Sequence, residues 1–125
     1  MMINTSDQFG RNAGRLWQTL EKHGALSKDQ LQKNTQLRPY EIDIAIGWLA
    51  REGKISFENN MYQIGQANLI DIIGKNAGVI WESLHKQCES SISGLTKETQ
   101  LPTHQIYEAV GWLAREDKLS FSTKE

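Results

Sequence analysis

The chain has one cysteine and two prolines among 125 residues, and it has no excess of positive charge. Each shortage removes a class of protein. A single thiol, Cys88, excludes an internal disulfide and any metal site built from several cysteines. The neighbouring Glu89 opposes thiolate formation, so Cys88 is expected to be inert. No apolar run approaches the roughly 20 residues needed to span a bilayer, and the mean hydropathy is −0.54. A membrane partner is therefore not expected. The opening Met-Met-Ile-Asn-Thr-Ser-Asp lacks the basic and apolar blocks of a secretory signal, which makes the cytoplasm the expected location. Net charge is −1. Residues 1–64 hold eight Lys/Arg against seven Asp/Glu, and residues 65–125 hold six against eight. Proteins that draw affinity from phosphate neutralisation usually carry a basic excess or stripe, and neither half has the excess.

What the chain does have is one unit written twice. Gly47-Trp48-Leu49-Ala50-Arg51-Glu52 returns as Gly111-Trp112-Leu113-Ala114-Arg115-Glu116, 64 residues later. The same shift carries Trp17 onto Trp81, Leu20 onto Leu84, Leu31 onto Leu95 and Phe57 onto Phe121 without a gap. Two small repeats, 1–65 and 66–125, follow from this register. Each lies near the lower size limit for a self-sufficient core, so the two are expected to pack together as an internal pseudo-dimer.

Within each repeat the apolar spacing predicts three helices. Phe9, Ala13, Leu16, Trp17 and Leu20 form one helical face behind a capping box at Thr5 and Gln8, and the helix should close at His23-Gly24. In the second repeat, Ile73, Ala77, Ile80, Trp81 and Leu84 repeat the stripe, with Asn68 as the expected cap. A capping box at Ser27 and Gln30 starts a short second helix. Its counterpart at Ser91 has no Gln and carries Gly94, so that helix is expected to start later or to fray. Pro39 and Pro102 place the third helices from about 39–40 and 103–104. On these helices Ile42, Ala45, Ile46 and Leu49, with Ile106, Ala109, Val110 and Leu113, are read as the inward face. Tyr40, Ile44, Gly47 and Arg51, with His104, Glu108, Gly111 and Arg115, are read as outward. After Gly53 the period changes to two, and Glu58-Asn59-Asn60 is a tight turn between two short strands. The second repeat offers only Lys118-Leu119-Ser120-Phe121, so a truncated wing is expected there.

Helix, short extended segment, helix, turn, helix and hairpin in about 60 residues is the order of a winged helix-turn-helix domain. The chain resembles a family of small prokaryotic winged helix-turn-helix proteins of unestablished role. The residues that carry the likeness are Gly10-Arg11-Asn12-Ala13-Gly14 with Trp17, and Gly47 to Glu52 with Lys54. Gly74-Lys75-Asn76-Ala77-Gly78 with Trp81, and Gly111 to Glu116 with Lys118, match equally well. The resemblance implies a mainly helical fold with a short hairpin, present here as tandem repeats, and a DNA-binding function by analogy of fold.

Gly74-Lys75-Asn76 is no phosphate loop, because neither the preceding glycines nor a strand is present. The small residues Gly10, Ala13 and Gly14, with Gly74, Ala77 and Gly78, are expected to admit a close neighbour. His23, His85 and His104 do not align between the repeats, and none has metal-ligand spacing, so neither a metal, a cofactor nor catalysis is expected. Two binding functions remain. Double-stranded DNA would be met by Lys28, Lys33, Arg38, Tyr40, Arg51 and Lys54 in the first repeat and by Thr103, His104, Gln105, Arg115 and Lys118 in the second. A protein partner would instead use the comparatively apolar outer stripe Tyr40, Ile44, Gly47 and Trp48. The chain would act as a monomer or a homodimer.

Overall fold

The computed structural model describes residues 5–65, 68–87 and 90–119. In order, the elements are α1 (Thr5–His23), α2 (Lys28–Thr35), α3 (Pro39–Arg51), β1 (Ile55–Glu58), β2 (Met61–Ile64), α4 (Ile70–Gln87), α5 (Ile92–Thr99) and α6 (Thr103–Arg115). Among the described residues the architecture is mainly helical with one antiparallel hairpin, and the three-helix pattern occurs twice.

Local chemistry explains most of the boundaries. α1 stops where Gly24 takes φ +81° and its N–H returns to the Leu20 carbonyl at 2.8 Å. Ser27 and Gln30 form the expected reciprocal cap of α2, at 3.2 and 2.9 Å. α2 and α5 both end on a left-handed glutamine, Gln36 and Gln100. Asn59 and Asn60, both at positive φ, make the two-residue turn that closes the hairpin in the register Phe57↔Tyr62 and Glu58↔Met61. Tyr62 also bridges Leu26, which adds a third extended segment to the free side of β2.

Two expectations need correction, and three more fall outside the described residues. Asn68 does not cap α4. Its side-chain amide accepts the Phe57 N–H at 2.9 Å and donates to the Phe57 carbonyl at 2.8 Å, which closes the open edge of β1 at that residue. α5 neither starts late nor shortens, because the Ser91 hydroxyl alone caps the Gly94 N–H at 2.9 Å and the helix keeps the eight residues of α2. The Thr5 hydroxyl, Cys88, and the second-repeat strand from Ser120 lie outside the described residues.

The packing departs further from the expected plan. The described residues form two apolar clusters, and each contains residues of both repeats. The first is built on Leu16, Leu20, Leu31, Ile42, Ile46 and Leu49 and receives Ile73 from α4. The second is built on Ile80, Leu95, Ile106, Val110 and Leu113 and receives Phe9 from α1 and Ile44 from α3. The outward reading of Ile44 is therefore wrong: it is 1% exposed, inside the core of the other repeat. α3 and α6 form the seam. Tyr40 meets Tyr107 toward their first turns, with ring centroids 5.4 Å apart, and Arg51 and Arg115 reach Glu116 and Glu52 at their last turns. The two helices thus run side by side in the same direction.

Closest approach falls at the two glycines. A Cβ on Gly47 would overlap the Glu108 carbonyl oxygen, and a Cβ on Gly111 would overlap that of Ile44. Both neighbours are backbone, so no side-chain rotation can make room. The first-helix glycines behave differently. Gly10 and Gly74 each take the tryptophan ring of their own repeat, Trp48 and Trp112, at 3.2 and 3.0 Å from where a Cβ would stand. The expected close neighbour at these two positions is a ring rather than a backbone. Gly14 and Gly78 meet nothing within 4 Å.

This contrast gives opposite expectations for the same substitution. Gly14→Ala should raise stability by about 0.5–1 kcal/mol, because only helix propensity changes. Gly47→Ala should lower it by on the order of 3 kcal/mol or more, since α3 and α6 must separate to admit the methyl group. Denaturant midpoints of the two variants against wild type measure both.

Candidate nucleic-acid interface

The third helix of a helix-turn-helix unit ordinarily lies in the major groove. Here its outer face is shared between the repeats. Ile44 and Gly47 are buried, Trp48 is half-buried, and Tyr40 packs its ring at a tilt against Tyr107. The stripe expected to meet a protein partner is therefore consumed within the chain. Gly111 and Glu108, the outward residues of the second repeat, are buried as well.

The expected DNA contacts separate into two groups at opposite ends of the helix pair. Thirteen-residue helices are about 20 Å long at 1.5 Å per residue. At the N-terminal end Arg38, Thr103 and His104 are exposed, and Lys33 is exposed on α2. Gln105 is half-buried and accepts from Asn76 at 3.4 Å, matching the contact from Asn12 to Glu41 in the first repeat. Glu41 also holds the Arg38 N–H at 2.8 Å, which fixes the start of α3. Lys28 is committed elsewhere: its ammonium lies 2.6 Å from Asp43, a carboxylate 4% exposed. Burial pushes the Asp43 carboxyl up from its ordinary value, and the hydrogen bond and charge of Lys28, with the charge of His104, offset part of the rise.

At the C-terminal end the structure brings Arg51, Lys54, Arg115 and Lys118 together around the pseudo-twofold axis. Each arginine crosses to the other repeat. Arg51 Nε lies 3.0 Å from Glu116 and Arg115 Nε 3.0 Å from Glu52. Their guanidinium groups sit over the opposite tryptophans, Arg51 over Trp112 at 5.6 Å and Arg115 over Trp48 at 5.7 Å. Lys54 and Lys118 stand 3.7 and 3.6 Å from the same two carboxylates. Arg51, Glu52, Lys54 and Arg115 line a shallow depression of about 420 Å³. These cations first act as a clasp between repeats, and their charge is partly neutralised on site.

Sequence reasoning missed Gly47 and Gly111 as a crossing point, and Glu108 and Asp43 as buried acids. A signal for the crossing was present: α3 is apolar around most of its circumference, which is the mark of a helix covered on two sides. Among the described residues no group of three His, Cys, Asp or Glu is placed to hold a metal ion, and no helix is long and apolar enough to cross a membrane.

A family model described as winged helix-turn-helix domain (DUF2582) matches residues 3–65 and again 69–125. The chain belongs to this family, as a tandem duplication of its domain. No curated protein and no solved structure matches it.

The clasp and the buried pair should respond differently to mutation. Arg51→Ala is expected to cost less than about 1 kcal/mol, because the ion pair is exposed to solvent. Lys28→Ala should cost about 1–2 kcal/mol, since Asp43 is left buried without its ammonium. That is below the value for a fully buried pair because the lysine side chain is 37% exposed. Urea denaturation of both variants checks the order.

Proposed function

We propose that this duplicated winged helix-turn-helix protein is a non-enzymatic binding module that engages protein partners and does not read DNA bases with its third helices. The observation that carries this reading is the side-by-side burial of α3 and α6 across Gly47 and Gly111. Twofold helix-turn-helix proteins hold their reading helices about 34 Å apart, one per turn of the duplex. A helix pair in contact has axes within about 8–10 Å. A major groove roughly 12 Å wide admits one helix and not two abreast.

The surface offered to a partner is on α4. Ile72 and Val79, seven residues apart on one side of the helix, are 52% and 43% exposed. The matching positions on α1 are Gln8 and Arg15, the polar residues expected of a solvent-facing side. The two repeats thus share a fold and differ in the chemistry of this face, which fits an acquired contact on the second.

A second reading rests on the N-terminal end of the helix pair. Two parallel helix N-termini lie there together with the exposed Arg38 and His104, an arrangement that favours phosphate. Such contact would touch the DNA backbone and carry no sequence preference.

Duplex titration across a salt series separates the readings. Under the protein-partner reading, affinity for unrelated duplexes is equal and weak even at low salt. Under backbone contact, affinity falls steeply with salt, and Arg38→Ala reduces the slope by about 1. Sequence-specific binding lost on Gln105→Ala would contradict both. For the α4 surface, exchanging in the first repeat's residues, Ile72→Gln with Val79→Arg, should leave the melting temperature unchanged and abolish capture of a partner that wild type retains. Retention by the variant would remove α4 as the surface.

A further inference from the structure

The two repeats differ in one residue at the centre of their crossing. Ile44 of α3 is matched by Glu108 of α6, 64 positions later. Ile44 enters the apolar second cluster, as an isoleucine can. Glu108 occupies the pseudo-twofold-related place against the first repeat, where it is 8% exposed and its backbone carbonyl abuts Gly47. Two titratable groups act on it, Asp43 from α3 and Lys28 from α2, and Glu108 in turn acts on Tyr62 from β2. His104, on its own helix, acts on Asp43. Among the described residues, two buried carboxyls therefore have one ammonium between them, and that ammonium is already 2.6 Å from Asp43. Burial holds the Tyr62 hydroxyl protonated, well above its ordinary range, so it supplies no negative charge.

An ionised Glu108 would be a second negative charge in the joint, removed from water and without a cation of its own. We propose that Glu108 is a proton-carrying residue in the joint between the repeats, neutral at physiological pH, and that its ionisation weakens the docking of α6 on α3. The energetic direction agrees with the geometry. Burial first, and the Asp43 carboxylate second, push the Glu108 carboxyl up to about 8, with Lys28 opposing. In the unfolded chain the same carboxyl loses its proton near the ordinary value of 4.5. Between these limits the folded state holds a proton that the unfolded state has released, so stability falls as pH rises through the window. The contribution is complete below the unfolded value and is gone once pH passes the folded one.

Thermal unfolding of the full chain from pH 7 to 9.5, above the range of ordinary histidines, tests this together with a ¹³C titration of the Glu108 carboxyl. The wild-type melting temperature should fall by several degrees across that range. The Glu108→Gln variant should stay flat and exceed wild type at pH 9.5. The Glu108 resonance should move with a midpoint near 8. Parallel decline of the two proteins, or a resonance that titrates near 4.5, would overturn the proposal. Should Glu108→Gln fail to fold, the wild-type titration decides alone.

Discussion

The structure depends on the contact of two backbones at Gly47 and Gly111. A helix carrying any larger side chain at these positions could not approach its counterpart so closely, because the atoms in the way are carbonyl groups of the other helix. Mid-helix glycine costs about 1 kcal/mol relative to alanine, and the repeat carries it twice. The return is burial: Ile44 reaches the second cluster, Phe9 follows from α1, and Ile73 enters the first cluster from α4. Two units near the lower size limit for a stable core thereby complete each other. The arginine clasp at one end and the tyrosine pair at the other align the helices without supplying much of the stability.

Duplication within one chain lets the halves diverge, and the differences are where function is written. In the first repeat the half-exposed Lys28 pairs with the buried Asp43; their counterparts in the second are Ile92 and Tyr107. Glu108 stands where its equivalent is Ile44, and Ile72 and Val79 stand where their equivalents are Gln8 and Arg15. A symmetric dimer of identical units would be obliged to repeat each feature on both sides. The fused chain has placed acids and a base on one side of the seam, and a bare apolar pair on one first helix only.

Much of the fold was legible in the sequence because it is set by local chemistry. Pro39 fixes the start of α3, Ser27 and Gln30 fix that of α2, and Asn59-Asn60 fixes the hairpin register. The candidate site was less legible, and the reason is physical. Periodicity gives the angle of a residue around its helix but not what lies across from it. Ile44 and Gly47 fell on the face opposite the core and so read as solvent-facing, while the carboxylate of Glu108 at the matching position reinforced that reading. Asn68 looked like a cap because an apolar run follows it, yet its amide found a better partner in both polar groups of Phe57. Lys28, Arg51 and Arg115, named from sequence as free cations, each have a carboxylate partner that only tertiary structure reveals.

The central claim, that the third helices are sealed against each other, is open to direct measurement in solution. Backbone contact at the crossing places the Gly47 α-protons against the Glu108 α-carbon, and those of Gly111 against the Ile44 carbonyl and the Trp48 amide. Nuclear Overhauser spectra of the labelled full chain should show Gly47 Hα to Glu108 Hα, and Gly111 Hα to the Trp48 amide proton. Absence of both cross-peaks, with the Gly47 and Gly111 amides exchanging as fast as exposed helix surface, would contradict the account.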